Sequence, residues 1–134
     1  MNENEYNLQR FIDAQETEYA TALSEIRSGG KRSHWIWYIF PQQKGLGHSY
    51  NSEYYGLDGT GEARAYLAHT LLGARLREMS AALLEHKGRT TIRRLMGSQI
   101  DVLKLRTCMQ LFDCISPGDI FAEVLDAFFN AKEE

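Results

Sequence analysis

Three observations predict an all-helical fold for this chain. Apolar residues recur at three- and four-residue spacing along most of its length, the period of helices with one buried face. The one segment of strand-like composition, Trp35 to Phe40, has no partner strand, and a buried unpaired strand would leave its amides unsatisfied. A length of 134 residues suits one core and would leave two domains marginal. The expectation is a compact, irregular single-domain bundle of about six to eight helices over residues 1–134, with one long loop near residues 42–60.

The elements follow in order. Asn7 is placed to cap a short first helix with Leu8, Phe11, Ile12 and Gln15 on one face. Thr17 is placed to cap a second, carrying Tyr19, Ala22, Leu23 and Ile26 at helical spacing, which Ser28-Gly29-Gly30 then stops. Ser33 to Pro41 reads as a short buried helix, begun by a Ser33 cap and ended by proline. From Gln42 to Thr60 the chain is rich in Gly, Ser, Asn and Tyr, with room for one helical turn around Ser52 to Tyr55. Loops of this length inside small domains are often functional. Helical patterning resumes over Glu62 to Ala68. It continues from Thr70 to about His86, with Leu72, Leu76, Met79 and Leu83 inward. Thr91 to Met96 is brief and ends at Gly97, Ser98 to Ile115 is strong, and Ser116-Pro117-Gly118 breaks the chain. Ile120, Val124, Leu125, Phe128 and Phe129 form the inner face of a last helix.

Composition narrows the functional classes. The chain is 43% hydrophobic and 25% charged, as in ordinary globular domains. Its longest apolar run, Trp35 to Phe40, is far short of the ~20 residues that span a bilayer. Residues 1–9 lack the basic-then-apolar plan of a secretory signal. Two cysteines, Cys108 and Cys114, make no cystine framework, so a cytoplasmic location is expected. The net charge of −3 hides a segregation: residues 26–52 carry +4 and residues 87–106 carry +5, between acidic ends of −5 each. Folded together, the basic segments would make a positive surface on an acidic protein, suited to a phosphate or carboxylate. The competing reading is two solvated faces compensated by acidic neighbours. A pI near 5.8 argues against nucleic acid as a partner.

Lys104 falls in the apolar arc of the 98–115 helix, where an unpaired ammonium is costly. It must snorkel, pair with a carboxylate, or face a polar cavity. Ser98 and Asp101 have capping-box spacing, which gives Asp101 a purely structural reading. Lys31-Arg32-Ser33-His34 sets two cations and an imidazole at a helix start, the physics of an anion site. The alternative for His34 is a hydrogen-bonded packing residue. Lys44-Gly45-Leu46-Gly47-His48-Ser49 is an amide-rich loop able to wrap a ligand, yet Tyr50 occupies the third glycine's place of a dinucleotide fingerprint. The four histidines are scattered and the two cysteines diverge, so no metal site is expected. Trp35 and Trp37 point apart on a helix, leaving one of them as a wall for a ligand.

The string Lys31-Arg32-Ser33-His34-Trp35-Ile36-Trp37-Tyr38-Ile39-Phe40-Pro41-Gln42, followed by Gly45-Leu46-Gly47-His48-Ser49, resembles the family catalogued as domain of unknown function 1810. Some of its members carry a calpastatin label. The likeness extends to Arg10-Phe11, Ala14-Gln15, Glu62-Ala63, Tyr66-Leu67-Ala68-His69 and Leu103-Lys104-Leu105-Arg106, and so covers nearly the whole chain. It implies a compact, mainly helical fold and no established activity. The chain departs from the family pattern at His69-Thr70, where His-Pro is usual. It departs again at Thr107-Cys108-Met109-Gln110-Leu111-Phe112, where Ser-Ser-Met-Thr-Leu-Phe is usual.

Two functional expectations follow. The first is a site for a small anionic, nucleotide-like or phosphate-bearing ligand, formed by Lys31, Ser33, Trp35, Gln42, Gly45, Gly47, His48 and Ser49. For hydrolase or transferase chemistry there, His34 is the general acid or base and Lys104 the electrostatic stabiliser. The second is a protein-interaction module without catalysis, with an exposed apolar patch near Tyr50, Tyr54 and Tyr55 and no deep pocket. No cofactor, metal or membrane partner is expected. A monomer is anticipated, with a homodimer left open.

Overall fold

A computed structural model describes residues 6–129. Among these residues eight helices run in chain order: α1 (Gln9–Arg27), α2 (Ile36–Ile39), α3 (Tyr50–Tyr54), α4 (Gly59–Ala68), α5 (Thr70–Leu84), α6 (Ile92–Met96), α7 (Gln99–Ile115) and α8 (Ile120–Phe128). Among the described residues there is no strand, only one isolated parallel bridge between Gln43 and Leu57. The fold is all-helical, as the apolar spacing predicts.

Most helix starts are set locally. Ser49, Thr91 and Ser98 each accept an amide hydrogen from three residues on, and Asp119 accepts from Ile120. The His69 ring opens α5, its Nδ1 accepting from the Leu71 and Leu72 amides at 3.2 and 3.3 Å. Thr70 is then the first helical residue, so this start does not need the family's usual proline.

Three expected caps, Asn7, Thr17 and Ser33, do not begin helices. The predicted first and second helices are one. Phe11, Gln15, Tyr19, Ala22 and Ile26 form a continuous buried stripe, and the Thr17 hydroxyl donates back to the Ala14 carbonyl instead of capping. Leu8, not Asn7, is the residue that precedes this helix, and no side chain caps it. The aromatic segment is helical for only one turn, opened by Trp35 rather than Ser33.

One buried cluster holds the bundle together. Phe11, Ile26, Trp35, Phe40, Tyr66, Leu76, Phe112 and Phe121 are all fully or almost fully enclosed in it. Helix α7 lies at its centre, packed against α8, α4, α6 and α2. Cys108 belongs to this core, and burial pushes its thiol pKa well up.

The 42–60 segment is closed rather than slack. Its ends are joined by the Lys44 amide on the Leu57 carbonyl and the Leu57 amide on the Gln42 carbonyl, both 2.8 Å. Gly56 lies so close to Lys44 and Ser52 that a Cβ would meet backbone at 2.7 Å. From beneath, Arg10 holds the segment through the Tyr54 and Gly56 carbonyls at 2.7 and 3.0 Å, and it pairs with buried Glu62 at 2.7 Å.

Candidate functional site

The site lies where residues 30–47 cross the first half of α7. Backbone pairing sets the crossing. The Lys31 amide donates to the Leu95 carbonyl at 2.7 Å, and Gly97, at φ +86°, turns beside the Lys31 carbonyl. Further along, Gln42 ties the loop to the helix. Its amide donates to the Lys104 carbonyl at 2.6 Å and the Phe40 carbonyl at 3.0 Å, while its oxygen accepts from the Thr107 hydroxyl at 2.7 Å.

At the centre is Asp101, which serves two ammonium groups. Lys31 Nζ reaches one carboxylate oxygen at 2.8 Å and also donates to the Ser33 carbonyl at 2.6 Å; its side chain is only 6% exposed. Lys104 Nζ is 3.7 Å from the other oxygen, too far for a hydrogen bond, and rests 4.0 Å from the centre of the Trp37 ring. Its side chain is 25% exposed. Lys104 therefore takes one of the routes open to it from sequence, a carboxylate partner, and borders a small hollow walled mainly by apolar groups. The Asp101 backbone amide is capped by Ser98, but its carboxylate has the wider task of holding both lysines.

Two hollows flank this trio. The wider, about 290 Å³, is lined by Lys31, Arg32, His34, Ser98, Ile100 and Asp101, among others. The narrower, about 80 Å³, is lined by Trp37, Gln42, Leu46, Gly47, Ser52 and Lys104, with Gln43. Their linings hold three cations against Asp101, and Glu25 behind the 32–33 backbone reduces the excess to one positive charge.

Glu25 explains why Ser33 does not act as expected. The amides of Arg32 and Ser33, within the segment expected to hold an anion, donate to Glu25 Oε1 at 2.8 and 3.0 Å. The Ser33 hydroxyl donates to Oε2 at 2.6 Å, and the Trp35 indole N–H to Oε1 at 2.9 Å. Burial pushes the Glu25 carboxyl upward, but these four donors outweigh it and bring its pKa down to about 2. An anion of the chain's own thus fills the place. Trp35 is fully buried, so the tryptophan facing a hollow is Trp37.

The structure brings Lys31 and His34 to one hollow and Gln42, Gly47 and Lys104 to the other. His34 and Lys104, paired as catalytic candidates, line different hollows. Gly45 serves the turn, at φ +97°. Ser49 caps α3, and His48 is exposed outside both hollows. Glu25 and Thr107 escaped the sequence reading as polar partners, because both act across the fold rather than at helical spacing. Among the described residues, no three His, Cys, Asp or Glu side chains are grouped to hold a metal ion. None of the described helices is long and apolar enough to cross a membrane.

Fold and site together define an all-helical protein with two hollows beside an ion cluster of Lys31, Asp101 and Lys104. The chain belongs to the family described as "Protein of unknown function (DUF1810)", whose profile matches residues 5–134. This agrees with the resemblance carried by the 31–49 string. The crystal structure of the conserved hypothetical protein Rv1873 from Mycobacterium tuberculosis is similar to it, with 38% sequence identity and a TM-score of 0.88. The match covers 93% of this chain and 89% of that one. No curated protein matches the chain.

Proposed function

We propose that the protein binds a small anionic, phosphate-bearing ligand at the double hollow around Asp101. The observation that carries this reading is the sharing of one carboxylate by two lysines. Lys31 is fully engaged, whereas Lys104 is held loosely by charge and an aromatic face, with its ammonium beside a hollow. An incoming phosphate oxygen would give Lys104 the short, charge-assisted hydrogen bond that Asp101 does not. Trp37 and Leu46 supply the apolar walls usual in ligand sites. Should chemistry follow binding, exposed His34 is the group to exchange protons at the wider hollow.

The test is calorimetric titration with inorganic pyrophosphate and sugar phosphates, repeated on Lys104→Met. Saturable binding that weakens at least tenfold in the variant supports the reading. No heat from any of these ligands, with melting temperature unchanged on adding them, overturns it.

One observation favours the interaction-module reading. Tyr50 is 75% exposed and stacks on Tyr54 at 5.6 Å, with Leu46 exposed on the same loop. Sedimentation at increasing concentration tests self-association through this face, and a monomer throughout excludes that form of it.

A further inference from the structure

A third hollow, of about 390 Å³, continues the site along α7 and has an entirely different character. Its lining is Gln43, Leu46, Thr60, Thr107, Gln110, Leu111 and Cys114, with no charged side chain among them. Gln43 and Leu46 also line the narrow hollow, so the two are neighbours separated by the exposed Leu46 side chain. Leu46 stands between Gly45 and Gly47, and an added side-chain carbon at Gly45 would meet nothing within 4 Å. Leu46 therefore sits on a turn that is open at Gly45 and closed at Gly47 by the Ser52 side chain.

The α7 residues that line the three hollows follow one another along the helix. Asp101 belongs to the wide cationic hollow, Lys104 to the narrow one, and Thr107 to Cys114 to the uncharged one. At 1.5 Å per residue, Lys104 and Gln110 are about 9 Å apart along the axis, and Asp101 and Cys114 about 20 Å. Apart from Thr107, whose hydroxyl donates to Gln42, the uncharged end is chemically unspent. The side chains of Gln43, Thr60 and Gln110 make no hydrogen bond among the described residues, and Cys114 is a free, exposed thiol. Amides and hydroxyls beside Leu46 and Leu111 suit a planar, neutral group with donor and acceptor edges.

We infer that the uncharged hollow is a second subsite, and that the ligand is a nucleoside diphosphate. Its nucleoside lies over Thr60, Thr107 and Gln110, and its phosphates reach Lys104. This rests on the anion-site reading above and specifies its ligand. The spacing of the subsites matches a molecule whose charge begins roughly one nucleoside length from its neutral end, about 9 Å along the helix. Leu46 must swing aside to admit it.

The experiment titrates the intact protein with adenosine diphosphate, uridine diphosphate and inorganic pyrophosphate. It uses the wild type, Gln110→Leu, Thr60→Val and Lys104→Met, each first checked for an unchanged cooperative melt. At least one diphosphate is expected to bind ten times more tightly than pyrophosphate. Gln110→Leu or Thr60→Val should remove most of that advantage and leave pyrophosphate affinity within twofold, whereas Lys104→Met should weaken both ligand types. Pyrophosphate binding as tightly as both diphosphates overturns the second subsite while leaving the anion site standing. Binding by none of the three overturns both.

Discussion

Asp101→Asn separates a structural ion cluster from an anion-binding one. Substitution leaves the Lys31 ammonium, 6% exposed, with the Ser33 carbonyl and a neutral amide in place of a carboxylate 2.8 Å away. Breaking a buried pair from one side costs about 3–5 kcal/mol. Lys31 keeps one acceptor and Asp101 is 14% exposed, so about 2–3 kcal/mol is the appropriate size here. For a chain of this length that lowers the melting temperature by roughly 8–12 °C. Circular dichroism melts at pH 7 measure it. Lys104→Met should lower stability by less than about 1 kcal/mol, because its contact with Asp101 is long and partly exposed. Binding then moves the other way. Removing a negative charge beside both lysines should tighten pyrophosphate about tenfold at low salt, an advantage that fades as salt rises. A melting temperature within about 2 °C of the wild type would refute the energetic argument. A large loss of stability with weakened pyrophosphate binding would refute the anion-site argument.

Glu25 should shape the acid limb of the stability curve. Its folded pKa of about 2 lies below the ordinary 4.5. The stabilisation is complete above pH 4.5 and is lost as the pH falls through 2. Allowing for solvent screening it is about 1–2 kcal/mol. Melts of Glu25→Gln at pH 7, 4 and 2.5 should therefore converge on the wild type as the pH falls. Arg10→Met should cost about 3–5 kcal/mol, because it strands buried Glu62 and two loop carbonyls, and a urea midpoint measures this. A thiol reagent should modify exposed Cys114 in the native protein and reach Cys108 only on unfolding, as mass spectrometry of time points would show.

Those features were legible in the sequence whose causes are local. Ser98 and Thr91 begin helices through contacts three residues away, and apolar spacing alone marks the 98–115 helix as a strong one. The same local rules overreached at Thr17, where a capping residue stands inside a stripe that never changes phase. They failed at Ser33 for the opposite reason. Its hydroxyl was free to cap in sequence terms, but a carboxylate eight residues earlier offered a charge-assisted partner. The single excess charge of Lys104 was visible from its helical position, yet which carboxylate would answer it depended on how residues 30–35 cross α7.

Gln42 shows why site and scaffold are hard to tell apart at this crossing. Its side chain lines the narrow hollow, and its three hydrogen bonds connect Phe40, Lys104 and Thr107. The bond from Gln42 reaches the Lys104 carbonyl and fixes the backbone, leaving the ammonium four methylenes away free to follow a ligand. Gln42→Leu would therefore displace Lys104 through its main chain, and any loss of binding would report the helix as much as the hollow. Lys104→Met removes only the charge, since the carbonyl stays in place for Gln42. Thr107→Val tests the converse. It removes one of the two ties from Gln42 to α7 and leaves every cation intact, so it should lower stability without altering the salt dependence of pyrophosphate binding.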